Sequence, residues 1–431
     1  MENRYDKYKD SGIAWIGEIP EHWEIKRLKN VSDFNPQNDQ SISNFSEVGY
    51  LPMERLKNGY MLPSVINVYN LTQGLTFFKE NDIVMAKVTP CFENGNIAIA
   101  KNLINNCGFG SSELFIFRVR NINREYFFYL LQEEKIKEVC KSTMIGTGGL
   151  KRISPTFMRN LLLPIPPTLE QQSIAIYLDQ KCGEIDELIT LQEEMITKLQ
   201  SYKQSVITEA VTKGLDKNVP LKDSGIEWIG EIPEHWNIIK TKNAFKIIPG
   251  ATPKTDNITY WDGEITWITP ADYKTEDRVI KSGKRNITLA GLNSCGTSIV
   301  PENSIIFSKR APIGLVAINI VPLCTNQGCI SCIPKSFVNS KYFYYLMSVL
   351  TEWFELFGSG TTFKELSTNN FANFSLSQPP LSEQQSIADY LDQKCSEIDE
   401  LISIKQQKIE KLKDYKKSLI FECVTGKRKV S

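Results

Sequence analysis

The chain has 431 residues, of which 41% are hydrophobic and 23% charged, a mixture typical of globular proteins and not of disordered ones. Its 50 Lys and Arg residues balance 50 Asp and Glu residues, which excludes both a basic coat protein and an acidic tail. This length exceeds what one hydrophobic core usually fills, so we expect at least two domains. No apolar run approaches the roughly 18 residues of a membrane helix. Because the first residues are polar and the ten cysteines are widely spaced, we expect a cytoplasmic protein with reduced thiols and no membrane contact.

Two segments of the sequence occur twice. Residues 10–23 (DSGIAWIGEIPEHW) recur at 223–236 with one substitution, and residues 170–189 (EQQSIAIYLDQKCGEIDELI) recur at 383–402 with two. The offset is 213 residues in both cases. This is far longer than a solenoid repeat, and it describes one module written twice. The sequence therefore predicts two similar halves related by a pseudo-two-fold internal repeat.

Between these repeated segments lie two inserts, residues 31–160 and 244–373, that share little sequence. Runs rich in apolar and β-branched residues predict strands at 82–88, 96–100, 113–119, 304–309 and 314–321. Aromatic runs at 126–131 and 342–347 predict helices, and each insert ends in a glycine-rich loop, at 146–151 and 358–364. We expect α/β (α+β) domains with mixed, mostly antiparallel sheets.

Each module ends in a predicted helix of about 44 residues, roughly 65 Å long. Thr168 or Ser382 can serve as the N-cap, with Gln171 or Gln385 completing a capping box, and the helices should end near Gly214 and Gly426. A seven-residue repeat predicts a coiled-coil seam between two antiparallel helices. Its apolar members are Leu178, Ile185, Leu188, Met195, Leu199, Tyr202, Leu391, Ile398, Leu401, Leu412, Tyr415 and Leu419.

These elements divide the chain into four predicted segments. Residues 1–167 and 216–380 form two similar domains, and residues 168–215 and 381–431 form the two long helices that separate them. We call the repeated segments, residues 10–23 with 170–189 and residues 223–236 with 383–402, together with the long helices, the frame. Since the repeated segments of the frame are nearly identical while the inserts differ, we expect the frame to face a partner common to both sides. The inserts should face something that differs between the two sides.

The sequence offers no catalytic constellation. His22 and His235 lie in the repeated Glu-His-Trp and are best explained as packed, hydrogen-bonded side chains rather than bases or ligands. Cys324, Cys329 and Cys332 contain one C-x-x-C without a second pair, which favours structural thiols over zinc. Residues 270–274 (PADYK) supply half of a nuclease-like site without an upstream acid, and phosphate-binding glycine fingerprints are absent. We therefore expect no active site, cofactor or metal in this chain.

Nucleic-acid binding is the alternative to catalysis, although such modules are usually basic and this chain is neutral. The acidity is concentrated in residues 169–215, which hold 8 acidic and 4 basic residues. Basic and aromatic residues of the inserts are candidates for DNA contacts, and a solvated loop is the competing explanation for each cluster. These candidates are Lys87, Arg118, Arg120, Lys151, Arg152, Tyr273, Lys274, Arg278, Lys284, Arg285, Lys309, Arg310 and Lys364. A tandem-module scaffold that joins proteins without touching DNA remains the second hypothesis.

Several of these motifs together resemble one family. The doubled DSGI-x-WIGEIPEHW, the Pro-Pro break before EQQSIA-x-YLDQKC-x-EIDELI, WITPAD (267–272), KVTPCFENGN (87–96) and NQGCI (326–330) are similar to the specificity subunit of type I restriction-modification enzymes. The resemblance implies a non-catalytic subunit whose two target-recognition domains each read one half of a split, asymmetric DNA sequence. It also implies two methyltransferase subunits, which methylate adenine with S-adenosylmethionine, and two restriction subunits, which use ATP and Mg to translocate and cleave double-stranded DNA.

Overall fold

The computed structural model describes residues 4–37, 45–147, 149–273, 278–310, 312–360 and 364–430. The chain divides into two compact units, residues 1–193 with 407–431, and residues 194–406. Each unit therefore contains one insert together with a segment of each long helix. Within the described ranges, no helix is both long enough and apolar enough to cross a bilayer.

The first unit is built on two four-stranded sheets. Its strands are β1 (Tyr8–Asp10), β2 (Glu18–Pro20), β3 (Glu24–Arg27), β4 (Ser32–Phe34), β5 (Glu47–Leu51), β6 (Ser64–Asn67), β7 (Thr76–Lys79), β8 (Ile83–Ala86), β9 (Ile97–Ile99), β10 (Cys107–Gly110), β11 (Leu114–Val119) and β12 (Leu162–Ile165). Its helices are α1 (Leu28–Val31), α2 (Arg124–Gln132), α3 (Glu134–Ser142), α4 (Pro155–Asn160) and the first part of α5 (Thr168–Lys213). One sheet has the order β4-β11-β8-β9 and is antiparallel, and the other has the order β6-β5-β10-β7 with a parallel β5–β10 pair.

The second unit repeats this plan. Its strands are β13 (Leu221–Asp223), β14 (Glu231–Pro233), β15 (Asn237–Lys240), β16 (Phe245–Pro249), β17 (Trp261–Ile268), β18 (Val279–Ile280), β19 (Arg285–Ile287), β20 (Ile305–Ser308), β21 (Val316–Asn319), β22 (Cys324–Thr325), β23 (Cys329–Pro334) and β24 (Ser375–Gln378). Its helices are α6 (Thr241–Ala244), α7 (Leu289–Asn293), α8 (Ser340–Ser348), α9 (Thr351–Leu356), α10 (Thr368–Asn373) and the first part of α11 (Leu381–Val424). The sheets have the orders β16-β23-β20-β21-β18 and β19-β17-β22, and β17 runs parallel to β22 as β5 does to β10. The predicted mixed sheets, aromatic helices and long helices are thus confirmed.

The hydrophobic core of each unit forms where the aromatic helix packs on the sheet and the long helices. In the first unit the core includes Trp23, Phe117 and Tyr126, and in the second it includes Trp236 and Tyr342, all fully buried. Strand β11 reads Leu-Phe-Ile-Phe, and successive side chains point to opposite faces, so Phe115 and Phe117 join one cluster while Leu114 and Ile116 join another. The sheet of each insert therefore packs against the repeated frame.

The repeated Glu-His-Trp segment fixes the start of each long helix. In the first unit His22 Nε2 lies 2.6 Å from a carboxylate oxygen of Glu170, and the buried Trp23 donates its indole N–H to the other oxygen at 2.8 Å. In the second unit His235 and Trp236 contact the equivalent carboxylate at 2.9 and 3.1 Å. A buried indole N–H needs an acceptor, and a carboxylate in the first turn complements the helix dipole. The prediction of hydrogen-bonded histidines is therefore confirmed, whereas both side chains are 46–47% exposed and do not pack in the core.

Within each unit the two helix segments run antiparallel. Asp186 of α5 pairs with Lys416 of α11 at 2.7 Å in the first unit, and Lys203 pairs with Asp399 at 2.7 Å in the second. The two ion pairs are related by the 213-residue offset, because Asp186 corresponds to Asp399 and Lys203 to Lys416. Exposed pairs stabilise a fold by only about 0–1 kcal/mol, so these pairs mark the register of the helices more than they hold them together.

The predicted seam is half correct. Leu178, Ile185, Leu391, Ile398 and Leu419 are buried, and Met195, Leu199 and Leu412 are half-buried. The other predicted seam residues, Leu188, Tyr202, Leu401 and Tyr415, are 43% to 58% exposed. The second buried position is instead taken by Cys182 and Cys395, six residues before Leu188 and Leu401. Each helix therefore carries two apolar stripes, and only one of them packs inside its own unit.

The predicted capping boxes do not form. Helix α5 includes Thr168 as its first residue, and the Gln171 side chain donates to the carbonyl of Pro166 at 2.8 Å while accepting from the Asn123 N–H. In the second unit Gln384, not Gln385, makes the same contacts with Pro379 and Asn339. These glutamines tie the start of each long helix to the turn that precedes the aromatic helix.

Candidate nucleic-acid interface

In the first unit, the loop that follows β8 pairs with the glycine-rich loop of the insert. Arg152 forms antiparallel bridges with both Val88 and Ile145. The Thr89 hydroxyl donates to the carbonyl of Gly149 at 2.7 Å and accepts from the Lys151 N–H at 2.9 Å. These contacts join two loops that are distant in sequence, and we call residues 87–90 and 145–152 the first loop pair.

The second unit has the same arrangement after β20. Glu365 forms antiparallel bridges with Arg310 and Ser359, and the Leu366 N–H donates to the carbonyl of Lys309 at 2.8 Å. We call residues 309–310 and 359–366, in their described part, the second loop pair. By position in the ladder, Lys309 corresponds to Lys87 and Glu365 to Arg152.

A third loop completes each surface. The N–H of Lys87 donates to the carbonyl of Glu113, and that of Lys309 to the carbonyl of Gly328, both at 2.9 Å. Gly328 must be glycine, because an added Cβ would lie 2.9 Å from the Pro270 ring and 3.1 Å from Arg310 Nε. The WITPAD and NQGCI motifs, far apart in the sequence, therefore meet beside the second loop pair.

The first loop pair presents few unpaired cations. Arg152 makes three contacts of 2.9–3.1 Å with the Glu113 carboxylate, and Lys87 donates to the carbonyl of Ser112 at 2.7 Å while lying 5.6 Å from the Phe115 ring. Lys151 is exposed beside them. Arg120 pairs with Asp33 at 3.2 Å. Lys151 is therefore the side chain of this group best placed to meet a phosphate.

In the second loop pair, different charged side chains are paired. Glu365 neutralises Lys309 at 2.6 Å and approaches Arg310 at 3.8 Å, whereas Lys364 is exposed. Elsewhere in this unit Lys284 is exposed, and the Arg285 guanidinium stacks 3.8 Å above the Trp261 ring. Such stacking holds the guanidinium in one orientation while leaving its edge open.

Three predicted DNA contacts have structural partners instead. Arg118 forms a two-point ion pair with Asp82, which is only 2% exposed. Tyr273 packs into an apolar cluster with its hydroxyl 3.9 Å from Cys329 Sγ, and burial raises its pKa well above the ordinary value. Arg278 contacts Asp392 on the long helix α11 and Tyr345 on the aromatic helix. Sequence reasoning missed these partners because each lies tens of residues away. Lys274 falls outside the described residues.

The residues considered for catalysis or metal binding are structural. Cys324, Cys329 and Cys332 are buried, and burial raises the pKa of Cys324 and Cys329 to about 12, which keeps these thiols protonated. Asp272 accepts from the Thr269 hydroxyl at 2.6 Å and from the Lys284 N–H at 2.8 Å, so it organises a turn. All ten cysteines are free, and the described ranges contain no cluster of three or more His, Cys, Asp or Glu side chains suited to a metal ion.

Comparison with known proteins identifies the family to which this chain belongs. A family model described as the type I restriction modification DNA specificity domain matches residues 20–200 and 233–414. The type I restriction enzyme MjaVIII specificity subunit of Methanocaldococcus jannaschii is 27% identical over 441 aligned positions, covering 96% of this chain and 94% of that protein. A solved structure from work on complex assembly and conformational transition of the type I R-M system has a TM-score of 0.78 at 17% identity, covering 94% of this chain and 98% of the other. The HsdS subunit from Thermoanaerobacter tengcongensis has a TM-score of 0.57 at 17% identity, covering 95% and 98%. Because the family model matches both repeats and most of the chain, the chain belongs to the type I restriction-modification DNA specificity subunits, the non-catalytic components of these enzymes.

Proposed function

We propose that this specificity subunit recognises a bipartite, asymmetric DNA sequence and directs adenine methylation or cleavage by partner subunits. Residues 1–167 and 216–380 act as the two target-recognition domains, and the helices over 168–215 and 381–431 separate them. The observation that carries the proposal is the contrast between frame and inserts. The frame is nearly identical in both repeats, whereas equivalent positions of the loop pairs hold opposite charges, Arg152 in one and Glu365 in the other.

Each loop pair has the features needed for reading a duplex. Phosphate contacts position a protein on DNA, and base-edge contacts in the major groove specify sequence. Lys151 and Lys364 are exposed at equivalent places in the two loop pairs and suit phosphate contacts. In the second unit, the polar residues Asn326 and Gln327, which precede Gly328 in the third loop, suit base edges. Since the net charge of the chain is zero, we expect tight DNA binding only together with a partner.

Each unit also exposes an apolar stripe on its helix pair. In the first unit this stripe is Leu188, Leu191 and Tyr415, and in the second it is Leu401, Ile404 and Tyr202, related by the 213-residue offset. Tyr415 lies at the level of Leu188 on the helix pair, because its neighbour Lys416 contacts Asp186, two residues before Leu188, at 2.7 Å. Contiguous exposed apolar side chains mark interaction surfaces.

Two equivalent stripes suit two copies of one helical partner, and we assign them to two methyltransferase subunits. Two restriction subunits complete the assembly on double-stranded DNA in the cytoplasm. S-adenosylmethionine, ATP and Mg belong to these partners, and this chain holds no cofactor of its own.

The proposal is tested by mapping methylated adenines across the genome with and without this gene. We expect one bipartite motif, with an unread gap, to vanish when the gene is deleted. A parallel assay supplies labelled duplex to the purified chain with and without its methyltransferase partner. An uninterrupted motif, or methyl transfer by the isolated chain, contradicts the proposal, and protein partners without any DNA in the complex would favour a scaffold.

A further inference from the structure

Each unit contains a cleft where the aromatic helix of the insert meets the long helices. The cleft of the first unit has a volume of about 780 Å³, and that of the second about 460 Å³. Both are lined by equivalent side-chain positions, four of which matter most here. These are Tyr129, Asp179, Cys182 and Asp186 in the first unit, and Tyr345, Asp392, Cys395 and Asp399 in the second. The two clefts are therefore copies of one site.

The second unit fills its cleft with its own arginine. The Arg278 guanidinium contacts the Asp392 carboxylate and lies 3.2 Å from the Tyr345 hydroxyl, which itself donates to Asp392 at 2.8 Å. Lys341 Nζ lies 2.8 Å from the other carboxylate oxygen. Burial opposes ionisation of Asp392, but the hydrogen bonds from Lys341 and Tyr345 and the charge of Arg278 outweigh it and lower the pKa of this carboxyl. The tyrosine–aspartate pair is thus an acceptor for a guanidinium.

The first unit keeps the acceptor without the arginine. Tyr129 donates to Asp179 at 2.7 Å, as Tyr345 does to Asp392. Among the described residues that line the cleft of the first unit, none is an arginine.

The position equivalent to Lys341 in the first unit is also not basic. It is Glu125, which pairs with Arg124. Among the described residues, Tyr129 is the side chain that hydrogen-bonds Asp179.

The lysines around this cleft do not exclude a cation, since each has its own carboxylate. Lys416 pairs with Asp186 at 2.7 Å, Lys413 with Glu410 at 3.0 Å, Lys137 with Glu134 at 3.4 Å and Lys417 with Asp414 at 3.6 Å. Phe128, Ile189 and Ile420 supply apolar walls for the aliphatic stem of a long side chain. The cleft lies next to the exposed stripe along α5, because its lining residues Ile189 and Thr190 lie in the same helical turn as Leu188 and Leu191.

We propose that the cleft of the first unit binds an arginine side chain of the partner subunit that docks on the adjacent stripe, with Asp179 and Tyr129 as its acceptors. This inference rests on the proposed function, since it assumes the docked partner. A guanidinium fits better than an ammonium because it can donate to the carboxylate and the hydroxyl from one planar fork. The second unit closes the equivalent site with Arg278, so two identical partner copies meet non-equivalent sites and bind with different affinities.

The test uses the full-length chain and the purified methyltransferase subunit, with the affinity of each copy resolved by native mass spectrometry and titration calorimetry. Asp179→Asn should weaken one of the two binding steps by about 10- to 100-fold, the range of a charge-assisted hydrogen bond, and leave the other unchanged. The matched variant Asp392→Asn should leave both steps unchanged while lowering the unfolding temperature.

A second variant keeps the carboxylate in place. Tyr129→Phe removes the hydroxyl that corresponds to the Arg278 acceptor Tyr345, so it should weaken the same step as Asp179→Asn by a smaller factor. Circular dichroism checks that both variants fold. If neither variant changes either binding step, the inference is overturned although the partner still binds. If the wild-type chain does not bind the partner at all, the proposed function itself fails.

A direct probe separates a protein arginine from a free small molecule. L-Arginine at millimolar concentration should shift the NMR signals of the first unit in the wild-type chain, and not in Asp179→Asn. The same concentration should compete with the sensitive partner-binding step. Arginine binding that requires Asp179 but leaves both partner steps unchanged would assign the cleft to a small-molecule ligand and overturn the assignment to a partner side chain.

Discussion

The repeat predicts that a chain ending at residue 215 forms a homodimer that rebuilds both helix pairs. In the full chain, Tyr126 donates to the carbonyl of Val424, and Tyr342 donates to that of Val211, both at 3.1 Å. Val211 and Val424 are equivalent by the 213-residue offset. The end of α5 from a second copy can therefore take the place of the end of α11 in the first unit.

The size of the effect follows from the side chains that change partner. Burial of one Val or Ile side chain stabilises by about 1.5–3 kcal/mol. Val206, Ile207 and Val211 at both ends therefore contribute roughly 9–18 kcal/mol before the cost of association, about 4–15 kcal/mol. With an association cost of about 4 kcal/mol, the low end of that range, the net is about 5–14 kcal/mol, which corresponds to a dissociation constant of roughly 0.2 mM or lower. Val206 and Ala210 are smaller than Leu419 and Cys423, which places the expected value toward the weaker end.

The charge pairs give this prediction a matched control. In the homodimer Asp186 faces Lys203 of the other copy, so Lys203→Asp replaces two ion pairs with two like-charge contacts. Since exposed pairs contribute about 0.2–1 kcal/mol each, the dimer should weaken by about 2- to 30-fold. Adding Asp186→Lys should restore it, as measured by sedimentation equilibrium. A folded monomer at 0.5 mM, or a dimer indifferent to both substitutions, would refute this reasoning.

Four further results are expected. Replacing residues 31–160 with another insert should change one half of the methylated motif, as read by adenine mapping, and a change in both halves would contradict independent domains. Inserting seven residues into both α5 and α11 should widen the unread gap by about three base pairs, since it adds about 10 Å of helix, with both half-sites unchanged. Lys151→Glu with Lys364→Glu should weaken DNA binding and reduce its salt dependence, measured in the partner-bound complex, whereas Leu62→Glu serves as an exposed control with a smaller effect. Asp82→Ala should lower the free energy of unfolding by about 3–5 kcal/mol, because it leaves Arg118 without its carboxylate, and an unchanged denaturant midpoint would show that Arg118 is not structural.

The sequence predicted the parts of the fold that depend on local pattern. Runs rich in apolar and β-branched residues placed β8, β9, β11, β20 and β21, and the repeat placed both long helices. The seven-residue pattern correctly found apolar stripes on these helices, but it did not show which stripe packs inside the unit. Leu188 and Leu178 are equally apolar in the sequence, and only the position of the insert decides that one is exposed and the other buried. That information is tertiary.

The candidate contacts were harder to predict because charge in a sequence does not reveal its partner. In the sequence, Arg118 and Arg278 look no different from an exposed cation such as Lys151. In the structure, however, Arg118 pairs with Asp82 and Arg278 pairs with Asp392. The sequence did contain a signal for the ion pair of Asp392. The anchor at 383–402 repeats Asp179 as Asp392, and a repeated acid on a frame helix requires a cation or a donor in each copy. The two inserts share too little sequence to show which of them supplies an arginine to this position.

The difference between the two repeats explains how one scaffold can read two different sequences. The bridge position of each loop pair, Arg152 in one repeat and Glu365 in the other, is held by backbone bridges, so this pairing does not depend on the side chain at that position. Arg152 can then neutralise Glu113, while Glu365 neutralises Lys309. Reversing the charge at one bridge position changes which neighbouring side chain is left to meet the duplex, without changing the backbone that presents it. Divergence of the inserts can therefore alter specificity while the frame, and the partners bound to it, stay the same.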